Sequence, residues 1–529
     1  MSSPAPQRRW QAACPNCGGP VEFASAASAS AVCSYCRSTL LREGEALRRI
    51  GQVGEVFEDY SPLQLGASGR YAGAAFTVVG RLQLGDEDAR WNEWHLLFDG
   101  GAPGGRSAWL SEDNGAFVMA FDAPLPEAAP PPEQLKPGSQ QLLAGQAWQV
   151  ASKVQATLFA AQGELPRPPE AERSFWVVDL RNAQNEVATL DYSQPAAPQW
   201  SLGRPVRLEE LALSGLREVQ ASSLGSRSLP CPSCGAALEP RLENSRSIVC
   251  GQCQAVVDIS QGAGADLAFY AQSVGSEALP QIPLGSSGEL PLETGGQRIA
   301  WQVLGYLERC DLPESADDEQ TFWREYLLYN RLEGFAFLVD TQEGWSLVRP
   351  LTGAPKPAAG GGVSWQGKTF RKRWTYTAKI THVLGEFYWR LRREERALVS
   401  DYECGRALLS REQTGQEITW SLGRQMDAGE VQRAFKLQGP AAALQRDAGS
   451  LSDSGNTLRN IVVGLFLIAL LFAMLRSCDG DDCQDYRDNF GESSAEYQQC
   501  KRNSSGSGVR TGSGGGSYGG YNSGGGGHK

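Results

Sequence analysis

Eight cysteines confine this chain more tightly than any other feature. Cys14, Cys17, Cys33 and Cys36 form two CxxC pairs separated by fifteen residues, and Cys231, Cys234, Cys250 and Cys253 repeat that spacing. Two such knuckles bring four thiolates into a tetrahedron, the geometry zinc prefers, and leave no ligand position open for water. A redox reading of the CxxC pairs would need a surrounding βαβ pattern, which is missing. The spacing therefore predicts two structural Zn2+ sites, each in a small ribbon that draws much of its folding free energy from the metal. Gly18 and Gly235 follow the first knuckle of each ribbon, where a tight turn brings backbone close to sulfur.

The cysteines belong to a longer internal repeat. Trp91-Asn92-Glu93-Trp94 returns as Trp323-Arg324-Glu325-Tyr326, and Trp200-Ser201-Leu202-Gly203-Arg204 returns as Trp420-Ser421-Leu422-Gly423-Arg424. Between them, Trp148 and Lys153 match Trp374 and Lys379, Gly163-Glu164 matches Gly385-Glu386, and Asp191-Tyr192 matches Asp401-Tyr402. Matches in a single order mark a duplication. Short runs rich in Val, Phe, Trp and Tyr, bounded by Gly and Pro, predict strands throughout each half. Residues 325–329 and 334–339 read as a hairpin, while the Pro-rich stretch 124–137 and the Gly/Pro-rich stretch 353–362 read as loops within the β domains. Many short strands fit a barrel or a sandwich, and both remain open at this point. The expected fold is mainly β, with ribbons at 10–45 and 228–262 and related β domains at 50–217 and 263–437.

Beyond a linker at 438–457 the chain changes character. Residues 461–475 carry no charge and are flanked by Arg459 and Arg476. As a helix this stretch, with Asn460, spans about 24 Å at 1.5 Å per residue. A bilayer core of about 30 Å is reachable with snorkelling arginines and local thinning. A single transmembrane helix is expected at 458–476, followed at 477–529 by an acidic and then Gly/Ser-rich tail too polar to bury a core. No apolar signal segment opens the chain, and zinc thiolates persist best in a reducing compartment. The expectation is a single-pass protein of the bacterial inner membrane, with the bulk of the chain cytosolic. Cys478, Cys483 and Cys500 would then meet oxidants, and two of the three could pair.

Catalytic signals are sparse. The only histidines are His95, His382 and His528, and His95 aligns with Leu327 in the repeat. A net charge of −11 disfavours a phosphate-binding surface, so no nucleic-acid partner is expected. The polar residues matched between the halves are Glu93, Lys153, Glu164, Asp191 and Arg204, with Glu325, Lys379, Glu386, Asp401 and Arg424. They could line a ligand pocket, or they could be turn caps and ion pairs that hold the β domains together.

The runs Cys-Pro-x-Cys-Gly, Ser61-Pro62-Leu63-Gln64-Leu65-Gly66, Val79-Gly80-Arg81-Leu82-Gln83 and Trp91-Asn92-Glu93-Trp94 resemble a bacterial family of domains of unknown function, DUF4178. Members usually sit beside zinc ribbons, often in tandem. The resemblance brings no established activity and no catalytic residues, and it implies a membrane-linked, envelope-related role. The leading expectation is a membrane-tethered adaptor that binds a protein partner and is not an enzyme. The alternative is a sensor or enzyme for a small, cationic ligand held in the β domains.

Overall fold

The computed structural model describes residues 10–439 and 444, apart from 24–27, 29, 44–45, 53–60, 87–89, 100–105, 114–115, 170–172, 218–228, 242–244, 260–266, 273–279, 294, 314–319, 393–394 and 416. Each half closes into an antiparallel barrel of eight strands. The first is built from Ala74–Gly85, Arg90–Phe98, Arg106–Asp113, Ala116–Asp122, Gln146–Leu165, Ser174–Arg181, Val187–Asp191 and Gln199–Val206. These form two four-stranded meanders. The meanders join where Ala116–Asp122 meets Gln199–Val206 and where Gln146–Leu165 meets Ala74–Gly85. The second barrel repeats the plan with Arg298–Asp311, Phe322–Asn330, Gly334–Thr341, Gly344–Leu351, Lys368–Phe387, Arg396–Cys404, Ala407–Gln413 and Ile418–Met426. The expected hairpin at 325–339 is present. Closure decides between barrel and sandwich, and it removes the unpaired edges that open sheets must protect.

Both faces of these strands are covered, which is why Trp91 to Leu96 are all buried rather than alternating. Outward-facing Trp94, Leu96, Leu110 and Met119 pack under Leu63, Leu208 and Leu211 from the flanking segments. Outward-facing Trp148, Val178, Leu190 and Trp200 pack under Leu135 and Leu143 from the Pro-rich loop. In the second half, helix Ala428–Phe435 sets Val431 and Phe435 against Leu290 and Trp301. The inward faces keep polar residues, including Glu93, Ser111, Thr189 and Ser201, all buried.

The ribbons are not separate beads. The second hairpin of each ribbon adds to the sheet at the end of the longest barrel strand. Val32, Ala31 and Ser30 pair with Gly163, Glu164 and Leu165, and Ser247 and Ile248 pair with Phe387 and Glu386. Strand Ala46–Gln52 continues the first hairpin across the boundary expected between 45 and 50. Gly163 and Gly385 sit at the junctions with φ of 74° and 88°. A Cβ on Gly385 would lie 2.3 Å from the Leu304 carbonyl oxygen, so only glycine lets the strands approach.

The two barrels touch through Arg181, which donates to the Thr352 carbonyl at 2.9 Å, and through the Arg207–Glu333 ion pair at 2.6 Å. Trp420 Nε1 donates to Gln149 Oε1 at 3.2 Å. Among the described residues no helix is long and apolar enough to cross a membrane. The expected span at 458–476, the tail at 477–529 with Cys478, Cys483 and Cys500, and nearly all of the linker at 438–457 lie outside the described residues.

Candidate metal centres and ligand cavity

Each cysteine tetrad converges as the spacing requires. Within each group of four the Sγ atoms lie within 4.8 Å of one another. Cys14–Cys36, Cys17–Cys33, Cys231–Cys253 and Cys234–Cys250 are each separated by 3.7 Å. That is too long for a disulfide bond of about 2.05 Å. It matches the edge, about 3.8 Å, of a tetrahedron with metal–sulfur arms of about 2.3 Å. The knuckles are shaped by backbone. Gly18 N–H donates to the Cys14 carbonyl, Arg37 to Cys33, Gly235 to Cys231 and Gln254 to Cys250. All four donors have positive φ, which closes each turn around the sulfur.

The strand registers define which residues of the two barrels are equivalent. Leu82 faces Glu93 as Leu307 faces Glu325, so Glu93 and Glu325 correspond as the repeat implied. Thr189 faces Ser201 as Ser410 faces Ser421, which places Asp191, two residues on, opposite in rank to Glu412. The matching of Asp191 with Asp401 is therefore a correction. Asp401 faces Ser410 as Asp179 faces Thr189, and it belongs to the neighbouring strand. Lys153 and Lys379 are also mismatched: Trp374 faces Asp401 as Ser152 faces Asp179, which puts Thr375 at the place of Lys153.

Most of the matched polar residues brace the structure. Arg204 pairs with Glu186 at 2.7 Å and Arg424 with Glu430 at 2.8 Å, both outside the barrels. Lys153 Nζ donates to the Pro132 carbonyl at 2.9 Å and lies over the Trp176 ring, pinning the Pro-rich loop. Glu386 accepts from Arg241 N–H at 2.8 Å and from the Ser245 hydroxyl, so it latches the ribbon loop to the barrel. Glu164 stands at the same junction in the first half, where its carbonyl meets His95 Nδ1 at 2.9 Å. Lys379 lies in the long strand opposite Arg396 and Cys310.

Glu93 and Asp191 differ from the rest, because both line a cavity of about 170 Å³ inside the first barrel. All eight strands contribute to its wall. Leu82, Leu84, Trp91, Trp109, Phe175 and Val177 give apolar surface, Thr189 and Ser201 give hydroxyls, and Arg167, Arg173 and Asp122 also border it. The Ser111 hydroxyl donates to Glu93, and Ser193 N–H donates to Asp191 Oδ1 at 2.6 Å. A second cleft of about 220 Å³ lies between the barrels beside Arg181 and Glu417.

The corresponding interior of the second barrel is filled. Arg309 takes the place of Leu84, since Arg309 faces Trp323 as Leu84 faces Trp91. Its Nη2 meets Glu412 at 2.6 Å and its Nη1 meets Glu325 at 3.4 Å, with Arg309 1% and Glu325 0% exposed. Burial alone would push the Arg309 guanidinium toward neutrality, but Glu412 and Glu325 hold its pKa above the ordinary arginine value. Neither Arg309 nor Glu412 had been singled out in the sequence. Aligning the repeat strand by strand would have exposed Arg309 against Leu84.

Asp401 sits beside this pair, fully buried, and accepts from the Tyr376 hydroxyl at 2.7 Å. Burial pushes its pKa up to about 7, opposed by hydrogen bonds from Ser410 and Tyr376; Glu412 raises it further and Arg309 lowers it. The folded chain thus holds a proton that the unfolded chain releases near the ordinary value of 3.8. This contribution to stability is complete below about pH 4 and is lost as pH climbs toward 7. Thermal midpoints measured from pH 4.5 to 8 should fall with pH in the wild type relative to Asp401→Asn. Parallel profiles would refute the assignment.

The family model described as domain of unknown function (DUF4178) matches residues 64–208 and again residues 297–428, more than half of the chain. The chain belongs to this family. Each DUF4178 match covers one barrel and leaves out the cysteine tetrad that precedes it. Neither the curated proteins nor the solved structures offer a match to the chain.

Proposed function

We propose that this tandem DUF4178 protein is a small-ligand-binding protein whose first barrel receives the ligand and whose second barrel is a permanently filled support. The observation that carries this reading is the contrast between the barrels. Equivalent carboxylates face an open cavity in one and the protein's own arginine in the other. A volume of about 170 Å³ exceeds by roughly tenfold the space one water needs. Zinc is the metal assigned to both tetrads, on the match between sulfur spacing and a tetrahedral Zn–S site.

In this reading the apolar segment at 458–476 tethers the barrels to the bacterial inner membrane from the cytosolic side. A partner-binding adaptor is the second reading, favoured by large side chains held open to solvent, Leu142 at 74% and Tyr35 at 68% exposure.

Leu84→Arg tests the primary reading, because it should fill the first barrel as Arg309 fills the second. Native mass spectrometry of the detergent-solubilised full chain should find one retained small molecule per chain, absent from Leu84→Arg. A molecule retained by both forms, or by neither, would sink the proposal.

A further inference from the structure

We propose that the cavity of the first barrel recognises a small alkylguanidinium cation, for which the Arg309 side chain of the second barrel is a built-in stand-in. The inference rests on the reading of that cavity as a ligand site and adds the chemistry of what enters it.

The duplication supplies the comparison. In the second barrel a guanidinium lies between two carboxylates, 2.6 Å from Glu412 and 3.4 Å from Glu325, with its Cζ 5.6 Å from the centre of the Trp323 ring. Trp323 Nε1 donates to Glu325 at 2.8 Å and so fixes the carboxylate that faces the cation. The first barrel keeps this recognition set as Trp91, Glu93 and Asp191, all lining the cavity. What changes is the residue that delivers the cation. Leu84 ends where Arg309 extends, and Asp191 is one methylene shorter than Glu412, so space opens between the same two acidic positions.

The chemistry selects among ligands. A planar guanidinium offers five N–H donors in a fixed fork, so it can bridge two carboxylates while its face rests on an indole. An ammonium group is a compact, strongly hydrated point charge and matches this layout less well. An anion would meet Glu93 and Asp191 as like charges: with Asp122, three carboxylates border the cavity against two arginines, Arg167 and Arg173, and Arg167 already faces Asp122 at 3.6 Å. The apolar wall at Leu82, Phe175 and Val177 suits a short alkyl stem.

The test titrates the full chain with ethylguanidinium and with ethylurea, its neutral isostere, following calorimetry and tryptophan fluorescence. Saturable binding of one ethylguanidinium per chain is expected, at least tenfold tighter than ethylurea. Glu93→Gln and Asp191→Asn should each weaken it tenfold or more, and Leu84→Arg should abolish it. Equal affinity for the two probes, or no saturable ethylguanidinium binding, overturns the inference. If ethylguanidinium fails while the wild type still retains a molecule that Leu84→Arg loses, the cation assignment falls and the ligand cavity stands. If that retained molecule is missing as well, both fall.

Discussion

Stripping the metal from either tetrad is expected to loosen a barrel as well as a ribbon. Zinc binding supplies about 10–16 kcal/mol to isolated zinc-finger peptides at neutral pH, because no site exists in the unfolded chain. Here the hairpin that carries Cys250 and Cys253 of the second tetrad is part of the barrel sheet, through Ser247 and Ile248 paired with Phe387 and Glu386. Glu386 also holds the ribbon loop through Arg241 and Ser245. Chelation should release two zinc ions per chain and lower the first thermal transition by well over 10 °C, as expected for a loss of several kcal/mol. Hydrogen exchange should accelerate at 247–249 and at the end of Lys368–Phe387 together. Cys250→Ser should reproduce this in the second half alone. Exchange confined to the ribbon, with the barrel strand still protected, would show that the two are energetically separate.

Arg309→Ala should be nearly as damaging. Removing one partner of a buried charge cluster leaves the others uncompensated, at a cost of about 3–5 kcal/mol. Glu325 and Glu412 would then face each other in a closed interior with no cation between them. For a domain of this size the midpoint should drop by about 6–20 °C. Adding Glu412→Gln removes one of the orphaned charges and should recover part of the loss, a coupling that a double-mutant cycle measures directly. The same Glu412→Gln change made alone should destabilise, because Arg309 loses its closer partner. A drop below about 1 kcal/mol for Arg309→Ala, or strictly additive effects, would mean that the cluster is not the keystone of that interior.

How much of this was legible in the sequence depended on whether a signal was local. The tetrads were, because two knuckle turns at fixed spacing bring four sulfurs together through local backbone. The Trp-Ser-Leu-Gly-Arg run was, because it occupies one strand in each barrel. The match of Asp191-Tyr192 with Asp401-Tyr402 failed because the dipeptide falls on two different strands: Asp191 ends Val187–Asp191, whereas Asp401-Tyr402 lies within Arg396–Cys404. Tyr192 donates to the Pro130 carbonyl, whereas Tyr402 packs on Trp420. Lys153 and Lys379 misled in the same way: each follows a Trp by five residues, but both strands bulge at the same place, just before Ser152 and just before Trp374. The registers therefore put Trp374 opposite Asp401 where Ser152 faces Asp179, and not at the place of Trp148. The cavity itself was out of reach. Its carboxylates come from strands that meet only when the barrel closes, and closure depends on pairing Gln146–Leu165 with Ala74–Gly85. Strands buried on both faces also lose the alternation that would have marked an interior.

The strand shared by ribbon and barrel also sets a schedule for the growing chain. The first tetrad is complete by Cys36, yet the partners of Ser30 to Val32 are Gly163 to Leu165, roughly 130 residues downstream. At about 5–20 residues per second of synthesis, the ribbon waits about 7–26 seconds for its strand. During that interval the hairpin can already hold its metal while its outer edge stays open to any other extended segment. The second ribbon waits a similar time for Glu386 and Phe387. A nascent chain whose tetrad is loaded would carry a stiffened edge before it has a barrel, and exchange of that strand between neighbouring copies is the misassembly this order of events favours.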